Sequence, residues 1–360
     1  MKNKKILVVC PYPENEVPGQ RLKYEQYFDF FRRNGYSINV SPFISKSGYK
    51  VLYTKGNLLK KFYWIILGYL KRFGEIFSLK QYDGVYIFLH VTPFRMDFIE
   101  RLFRIFSKKI IYDIDDLVFL GRASPFNSWT AILRSPGKYF YLMKSSDHVI
   151  TCTPYLDEIV RKYNNKTTDI SSTINTDRYI PIENYSNNHK IIIGWSGSHS
   201  NVNYLRIIEP VLRKLRKQYD FKLLVIGTDN FIMEGVDVEA ILWKESTEVK
   251  DLRQIDIGLY PLPDEQWIYG KSGLKALQYM ALGIPTVATA IGANFRVIED
   301  QVSGFLVNSE KEWENRLAEL LQDSKLRKKV GLKARERVEN LYSVRANEPI
   351  YLNIFKNVYK

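Results

Sequence analysis

The chain has 360 residues, 45 % of them hydrophobic and 26 % charged, with a formal net charge of +14. That length suits about two domains with cores of ordinary size, and the composition is that of a soluble globular protein. No apolar run approaches the roughly eighteen residues of a spanning helix, and the basic balance admits a solvated surface, nucleic acid, an anionic membrane face or phosphate-bearing substrates.

The opening residues Met1 to Lys5 lead into a short apolar run, 6–10, that stops at Pro11. It reads as a buried first strand and not a signal peptide. Tyr24, Tyr27, Phe28 and Phe31 have helical spacing, which predicts a helix over 21–33. Strands are expected at 36–40, 84–89, 109–113 and 148–152, with helices over about 95–107 and 156–163. Short buried strands separated by helices predict a parallel, doubly wound sheet. Cys10 and Cys152 both fall in strand-like runs and read as buried structural thiols, and their scarcity fits a reducing cytosol.

The pattern breaks at 175–181 and the polar stretch 183–190, then restarts. Strands are expected at 191–195, 221–226, 255–259 and 286–290, with a helix over 204–218 and terminal helices from about Glu310. The expected domains are therefore 1–180, 190–345 and a terminal helical segment, 346–360.

Between the strands at 255 and 286 lies Gly270-Lys271-Ser272-Gly273-Leu274-Lys275, which opens an amphipathic helix closed by Gly283-Ile284-Pro285. Strand, glycine loop with lysines, then helix is an anion-binding order. Glycines admit an anion close to the backbone, N–H groups at the helix start face it, and lysine adds charge.

This segment, with Met280-Ala281-Leu282-Gly283-Ile284-Pro285 behind it, resembles the donor-binding segment of glycosyltransferase family 4, the retaining group 1 enzymes. The resemblance covers nearly the whole chain and is strongest in the second half. It implies the GT-B fold: two Rossmann-like domains facing across a cleft, with the chain's end crossing back onto the first. Members carry a glutamate, seven residues and a second glutamate before this motif. The alignment puts Gly270 and Gln278 at those positions, so both glutamates are replaced. Gln278 retains hydrogen-bonding capacity toward ribose hydroxyls.

Other candidate positions follow from the resemblance. Gly19 matches the glycine-rich loop after the first strand. Arg21 is expected at a helix start, where the dipole disfavours a cation unless an anionic ligand compensates. Asp115 and Asp116 match the family's His-Asp pair, placed to orient an acceptor hydroxyl or take its proton. With Asp113 they form a carboxylate cluster for which magnesium or manganese is a competing reading, or Asp115 and Asp116 cap a following helix. Two phosphate-binding cations of the family are replaced by Trp195 and Ser200. Gly197 and Ser198 are then expected to hold phosphate through backbone and hydroxyl groups, with Lys271 and Lys275 supplying charge. His199 reads as a polar loop residue. Trp243 falls in the segment that lines the nucleotide base, and Asp264 is a substitute sugar contact. Ser272, Gly273 and Leu274 complete the donor set.

The run 58–73 carries lysines and an arginine around an aromatic-apolar block at helical spacing, which suits either a packed helix or one lying in a membrane interface.

The expected activity is sugar transfer from a nucleotide-diphosphate donor to a hydroxyl of a bacterial-type polysaccharide or glycolipid, without metal or other cofactor. The expected partners are a nucleotide sugar, a glycan or lipid-linked glycan acceptor and an anionic membrane surface, with no nucleic acid. The expected location is the cytoplasm, peripheral on the inner membrane face. Two rival readings stay open. One is a non-catalytic sugar-nucleotide-binding homologue or partner subunit, since both glutamates are absent. The other is a nucleic-acid binder, although its basic residues are scattered and no known module is recognisable.

Overall fold

The computed structural model describes residues 3–52, 54, 56–94, 97–120, 136–181 and 190–360. The polar stretch 183–189 and the helix start expected at Arg95 lie outside these residues. The chain forms two compact units, Met1–Ser172 with Asn347–Lys360, and Thr173–Ala346. The second unit thus begins within the segment expected to close the first, because Ile174 and Tyr179 are fully buried in its core.

In the first unit, strands β1 (Lys4–Cys10), β2 (Tyr36–Pro42), β3 (Gly84–Phe88), β4 (Ile110–Asp113), β5 (His148–Thr151) and β6 (Thr167–Asp169) form one sheet in the order β2-β1-β3-β4-β5-β6. Every pairing is parallel. Central strands are buried on both faces, which is why they read as unbroken apolar runs.

The C-terminal residues complete this unit's core. Phe355 stacks on Phe31 with ring centroids 4.0 Å apart, and Tyr351 lies 4.4 Å from Tyr27. Gly84 is required by this packing, since a Cβ there would sit 2.0 Å from the Tyr359 ring.

The single helix expected over 21–33 is instead a turn at Pro18–Arg21, a 3-10 turn at Glu25–Tyr27 and a helix at Phe28–Arg33. Residues 20–25 are all buried, which is wider than one helical face allows.

The second unit holds β7 (Ile191–Ser196), β8 (Phe221–Ile226), β9 (Val238–Ile241), β10 (Ile257–Tyr260), β11 (Thr286–Thr289) and β12 (Phe305–Val307), in the order β12-β11-β10-β7-β8-β9. This sheet is also wholly parallel. The helix expected over 204–218 is a 3-10 segment, His199–Ile208, followed by an α-helix, Glu209–Arg216. Pro210 sits in the first turn of that helix, where its missing N–H costs nothing.

Candidate functional site

In the second unit the strand order reverses between β7 and β10, which pair directly through Ile193 with Ile257 and Gly194 with Gly258. In an open parallel sheet the loops leaving such a neighbouring pair diverge and leave a crevice beyond the carboxyl ends of the strands. The loop after β7 carries Gly197 and Ser198, and the loop after β10 leads through Asp264 to Lys271, Ser272 and Gly273. Trp243 follows β9 at the same sheet edge.

The helix Leu274–Ala281 is fixed over this reversal by Tyr279. Its ring covers Gly258 of β10, where an added Cβ would lie 2.6 Å from a ring carbon. Its hydroxyl accepts a 2.6 Å hydrogen bond from the backbone N–H of Ser196 at the end of β7. Burial raises the Tyr279 pKa, so the phenol stays neutral. Gly273 precedes the helix in a left-handed conformation at φ 76° and, as a glycine, offers no side chain of its own to cap the helix start. A helix start leaves several N–H groups without intrahelical partners. At the other end Ile284 N–H donates to Tyr279 O and Gly283 N–H to Met280 O, the doubled bonds of a left-handed glycine stop.

Around this helix the candidate residues take different roles. Lys271 is half-buried with its ammonium 5.0 Å from the centroid of the Trp267 ring, held at the loop by a cation–π contact. Ser272 is buried and Leu274 half-buried beside it. Lys275 turns back and donates to Oε1 of Gln278 at 2.9 Å.

Gln278 is fully buried, and its amide donates to Tyr179 Oη at 2.7 Å and to Glu248 Oε1 at 3.1 Å. Glu248 also accepts from Tyr179 Oη at 3.0 Å and from Trp243 Nε1 at 3.1 Å. Both of the Gln278 amide donors and its oxygen are engaged inside the fold, so the expected contact with a ribose requires this network to open. Trp243 packs against the core and is held by the same carboxylate.

Gly197, whose N–H is expected to face phosphate, donates that N–H to Ile226 O at 3.0 Å. Its role is close packing, since a Cβ would lie 2.4 Å from the Trp195 indole, and its carbonyl oxygen would lie 1.9 Å from a Cβ on Gly227. Ser198 is exposed, with Oγ 2.9 Å from Ser200 Oγ. His199 Nδ1 lies 3.2 Å from Thr228 Oγ1, and exposed Asp264 accepts from Tyr269 Oη at 3.2 Å.

The first unit gathers its own group at the carboxyl ends of β1 and β4. Gly19 lies against Asp115, whose Oδ2 would be 3.7 Å from an added Cβ. Asp115 and Asp116 are half-buried, and Asp116 has φ 60°. The Asp116 backbone N–H bonds the buried thiol of Cys152, which burial raises in pKa. Below them Asp113 is fully buried, accepts from Tyr86 Oη, and lies 3.8 Å from the ammonium of buried Lys23. Burial pushes the Asp113 carboxyl up to about 6, with Lys23 and Tyr86 opposing and the Asp115 charge adding to the rise. Among the described residues no three His, Cys, Asp or Glu side chains converge as a metal-ligand set.

Arg21 is not at a helix start. It ends the Pro18–Arg21 turn, buried, where the dipole favours a cation. The same turn is fixed by Gln20, whose amide bonds Tyr12 O and Glu25 Oε1, each at 3.0 Å.

Sequence reasoning missed Tyr179, Tyr279, Glu248 and Lys23. Only Gly258 signalled one of them, as a strand glycine marks a close approach.

Residues 190–323 match the family model described as "Glycosyl transferases group 1". D-inositol 3-phosphate glycosyltransferase of Paenarthrobacter aurescens is 26 % identical over 145 residues, which cover 36 % of this chain. The match spans only about a third (34 %) of that relative's length. Sucrose-phosphate synthase from Thermosynechococcus elongatus superposes with a TM-score of 0.71 at 14 % identity, covering 99 % of each chain. The Anabaena protein HepE, solved with UDP and glucose, gives 0.66 at 13 % identity, covering 99 % of this chain and 100 % of its own. A glycosyltransferase from Rickettsia africae gives 0.70 at 16 % identity, covering 100 % of this chain and 99 % of its own. The fold is GT-B.

Proposed function

We propose, from the premise that residues 190–323 are a group 1 glycosyl transferase domain, that this chain transfers a sugar from a nucleotide diphosphate to a hydroxyl acceptor. The observation that carries this reading is the glycine-led helix start at Gly273, docked by Tyr279 over the β7–β10 reversal with Lys271 in the loop before it. A diphosphate seated there meets helix N–H groups, the positive helix end and an ammonium. Those groups stabilise the charge that develops on the leaving group as the glycosidic bond breaks. Metal independence and retention of anomeric configuration belong to this proposal, as does a glycan or glycolipid acceptor.

In the first unit, Asp115 and Asp116 beside Gly19 are the proposed acceptor-facing carboxylates. The complexes of the Anabaena protein with UDP and with UDP-glucose make uridine diphosphates the first donors to try. A second reading, a nucleotide-sugar binder without turnover, is favoured by Gln278, whose buried network takes the place of a family glutamate.

The test is a thermal-shift screen of nucleotide sugars followed by a transfer assay on those that bind. A ligand that binds only the folded state raises its melting temperature. Stabilisation with donor turnover supports the enzyme. Stabilisation without turnover or hydrolysis, across acceptors, leaves the binder. No stabilisation by any nucleotide sugar removes both.

A further inference from the structure

We propose that the helix Leu58–Ile76 of the first unit lies in the headgroup region of an anionic lipid bilayer. Its amphipathicity is reversed with respect to the core. The face turned inward carries Lys61 and Arg72, both buried, together with Ile65, Gly68 and Ile76. Arg72 is fully buried and spends its guanidinium on Glu75, Ser41, and the carbonyls of Cys10 and Val91. The face turned outward carries Leu59, Phe62, Ile66, Leu70 and Phe73, and Phe77 continues it past the helix end. These recur at three- and four-residue steps, so they form one stripe. Leu59 is 87 % exposed, Phe62 61 %, Leu70 62 % and Phe77 77 %. Single exposed apolar residues are ordinary, but a continuous stripe of this kind marks an interaction surface.

Two features choose a lipid surface over another protein. The stripe runs the length of one helix as a band of long apolar side chains, the pattern of a helix that lies in an interface plane. Lys60 and Lys71, both exposed, fall together on one flank of the stripe: Lys60 is placed to meet lipid phosphates, while the Lys71 ammonium already donates to Pro42 O at 2.7 Å and lies 3.9 Å from Glu75. A second copy packed isologously on this face would bring the same lysines together, in a chain whose net charge is already +14. Among the described residues no helix is long and apolar enough to cross a membrane, so the helix would lie on the bilayer and not span it. The lysines and arginine of the run 58–73 include Lys61 and Arg72, which the interfacial alternative would place toward lipid. The structure removes both, leaving the apolar stripe as the principal contact. The inference stands on this face alone and does not require the transfer reading.

The test uses the full chain, without donor, and vesicles of phosphatidylcholine alone or of equal parts phosphatidylcholine and phosphatidylglycerol. Co-sedimentation is expected with the anionic vesicles, weaker with the neutral ones, and weakened by salt. Phe62→Ser with Leu70→Ser, both at exposed sites, should reduce binding about tenfold or more while the melting temperature holds. Equal binding by wild type and double variant overturns the proposal. So does a wild type that ignores vesicles and sediments as a dimer that the same substitutions dissociate. If the double variant misfolds, Lys60→Glu serves instead: it should weaken anionic binding severalfold, and unchanged binding again overturns the proposal.

Discussion

The side-chain amide of Gln278 donates to the hydroxyl of Tyr179 at 2.7 Å across 99 residues of sequence. Both groups also bond the Glu248 carboxylate, 3.1 and 3.0 Å away, inside a core from which water is excluded. Gln278→Glu would restore the residue that the resembling family carries here, and its expected effect is harm. It replaces an amide donor with a second carboxylate against Glu248, at a cost of about 2–4 kcal/mol. The introduced carboxyl titrates above the usual range because it is buried beside a like charge. A raised folded-state pKa favours the fold at low pH and is lost as pH rises. The deficit relative to wild type should therefore be small near pH 5 and large near pH 8 in urea melts. A deficit that is absent, or equal at both pH values, would show that the pocket tolerates the charge.

Gly273 stands at φ 76° directly before the helix Leu274–Ala281, and a Cβ there would lie 2.9 Å from Val297 Cγ2. Gly273→Ala combines left-handed strain with this contact and should cost about 1–3 kcal/mol. The helix start would also shift, so nucleotide-diphosphate binding should weaken by more than the stability loss explains. Titration of UDP by calorimetry at a temperature where the variant is fully folded checks this. Unchanged affinity would place the diphosphate elsewhere.

How much of this was legible in the sequence depended on burial. β1, β3, β4, β5, β7, β8, β10 and β11 are interior strands, and each was readable as an apolar run. The strands that were missed, β6, β9 and β12, are all sheet edges. Thr167-Thr168-Asp169 and Val238-Glu239-Ala240-Ile241 have only one neighbouring strand, so nothing forces a continuous apolar pattern on them. Local motif reading placed Lys271, Ser272 and Gly273 at the carboxyl edge of the second sheet. It could not see that Gln278 points inward, because its partners Tyr179 and Glu248 lie 99 and 30 residues away. Arg21 was misplaced for the same reason: whether a short turn ends or begins at a residue depends on which neighbours are buried.

Asp113 supplies a pH-dependent prediction. Burial lifts its carboxyl from an ordinary 3.8 to about 6, with Lys23 only partly offsetting that cost. Its folded-state pKa is raised, so the associated stability is fully present below about pH 4 and is lost as pH climbs to about 6. That displacement corresponds to about 3 kcal/mol. Wild type should therefore lose up to that amount relative to Asp113→Asn between pH 4 and 7 in denaturant melts. The carboxyl carbon should titrate near pH 6 by NMR. A midpoint near 4 would mean that Lys23 and Tyr86 solvate the charge fully.

Asp116 occupies the left-handed region at φ 60°, a conformation asparagine adopts without added strain. Asp116→Asn thus removes charge and leaves the backbone, including the N–H that meets Cys152, in place. Stability should change by less than about 0.5 kcal/mol. If this carboxylate takes or orients the acceptor proton, transfer should fall about 10²-fold, mainly in kcat, with donor affinity unchanged. Wild-type rates would make it a turn residue only.

Lys271 separates the diphosphate role from simple packing. Its ammonium rests 5.0 Å from the Trp267 ring centroid, a contact worth about 0.5–1 kcal/mol at a partly exposed site. Lys271→Ala should therefore cost the fold no more than that. Loss of a cation that meets the leaving diphosphate should cost far more in catalysis, about 10²-fold in kcat/KM, and should weaken UDP binding as well. Lys271→Arg keeps the charge and the ring contact but spreads the charge over a planar fork, so it should recover part of the loss. Steady-state kinetics with donor varied, beside melting curves for all three proteins, decide the matter. If Lys271→Ala lowers stability and activity in step, and arginine restores neither, the residue is holding Trp267 in place and the phosphate is bound by other groups.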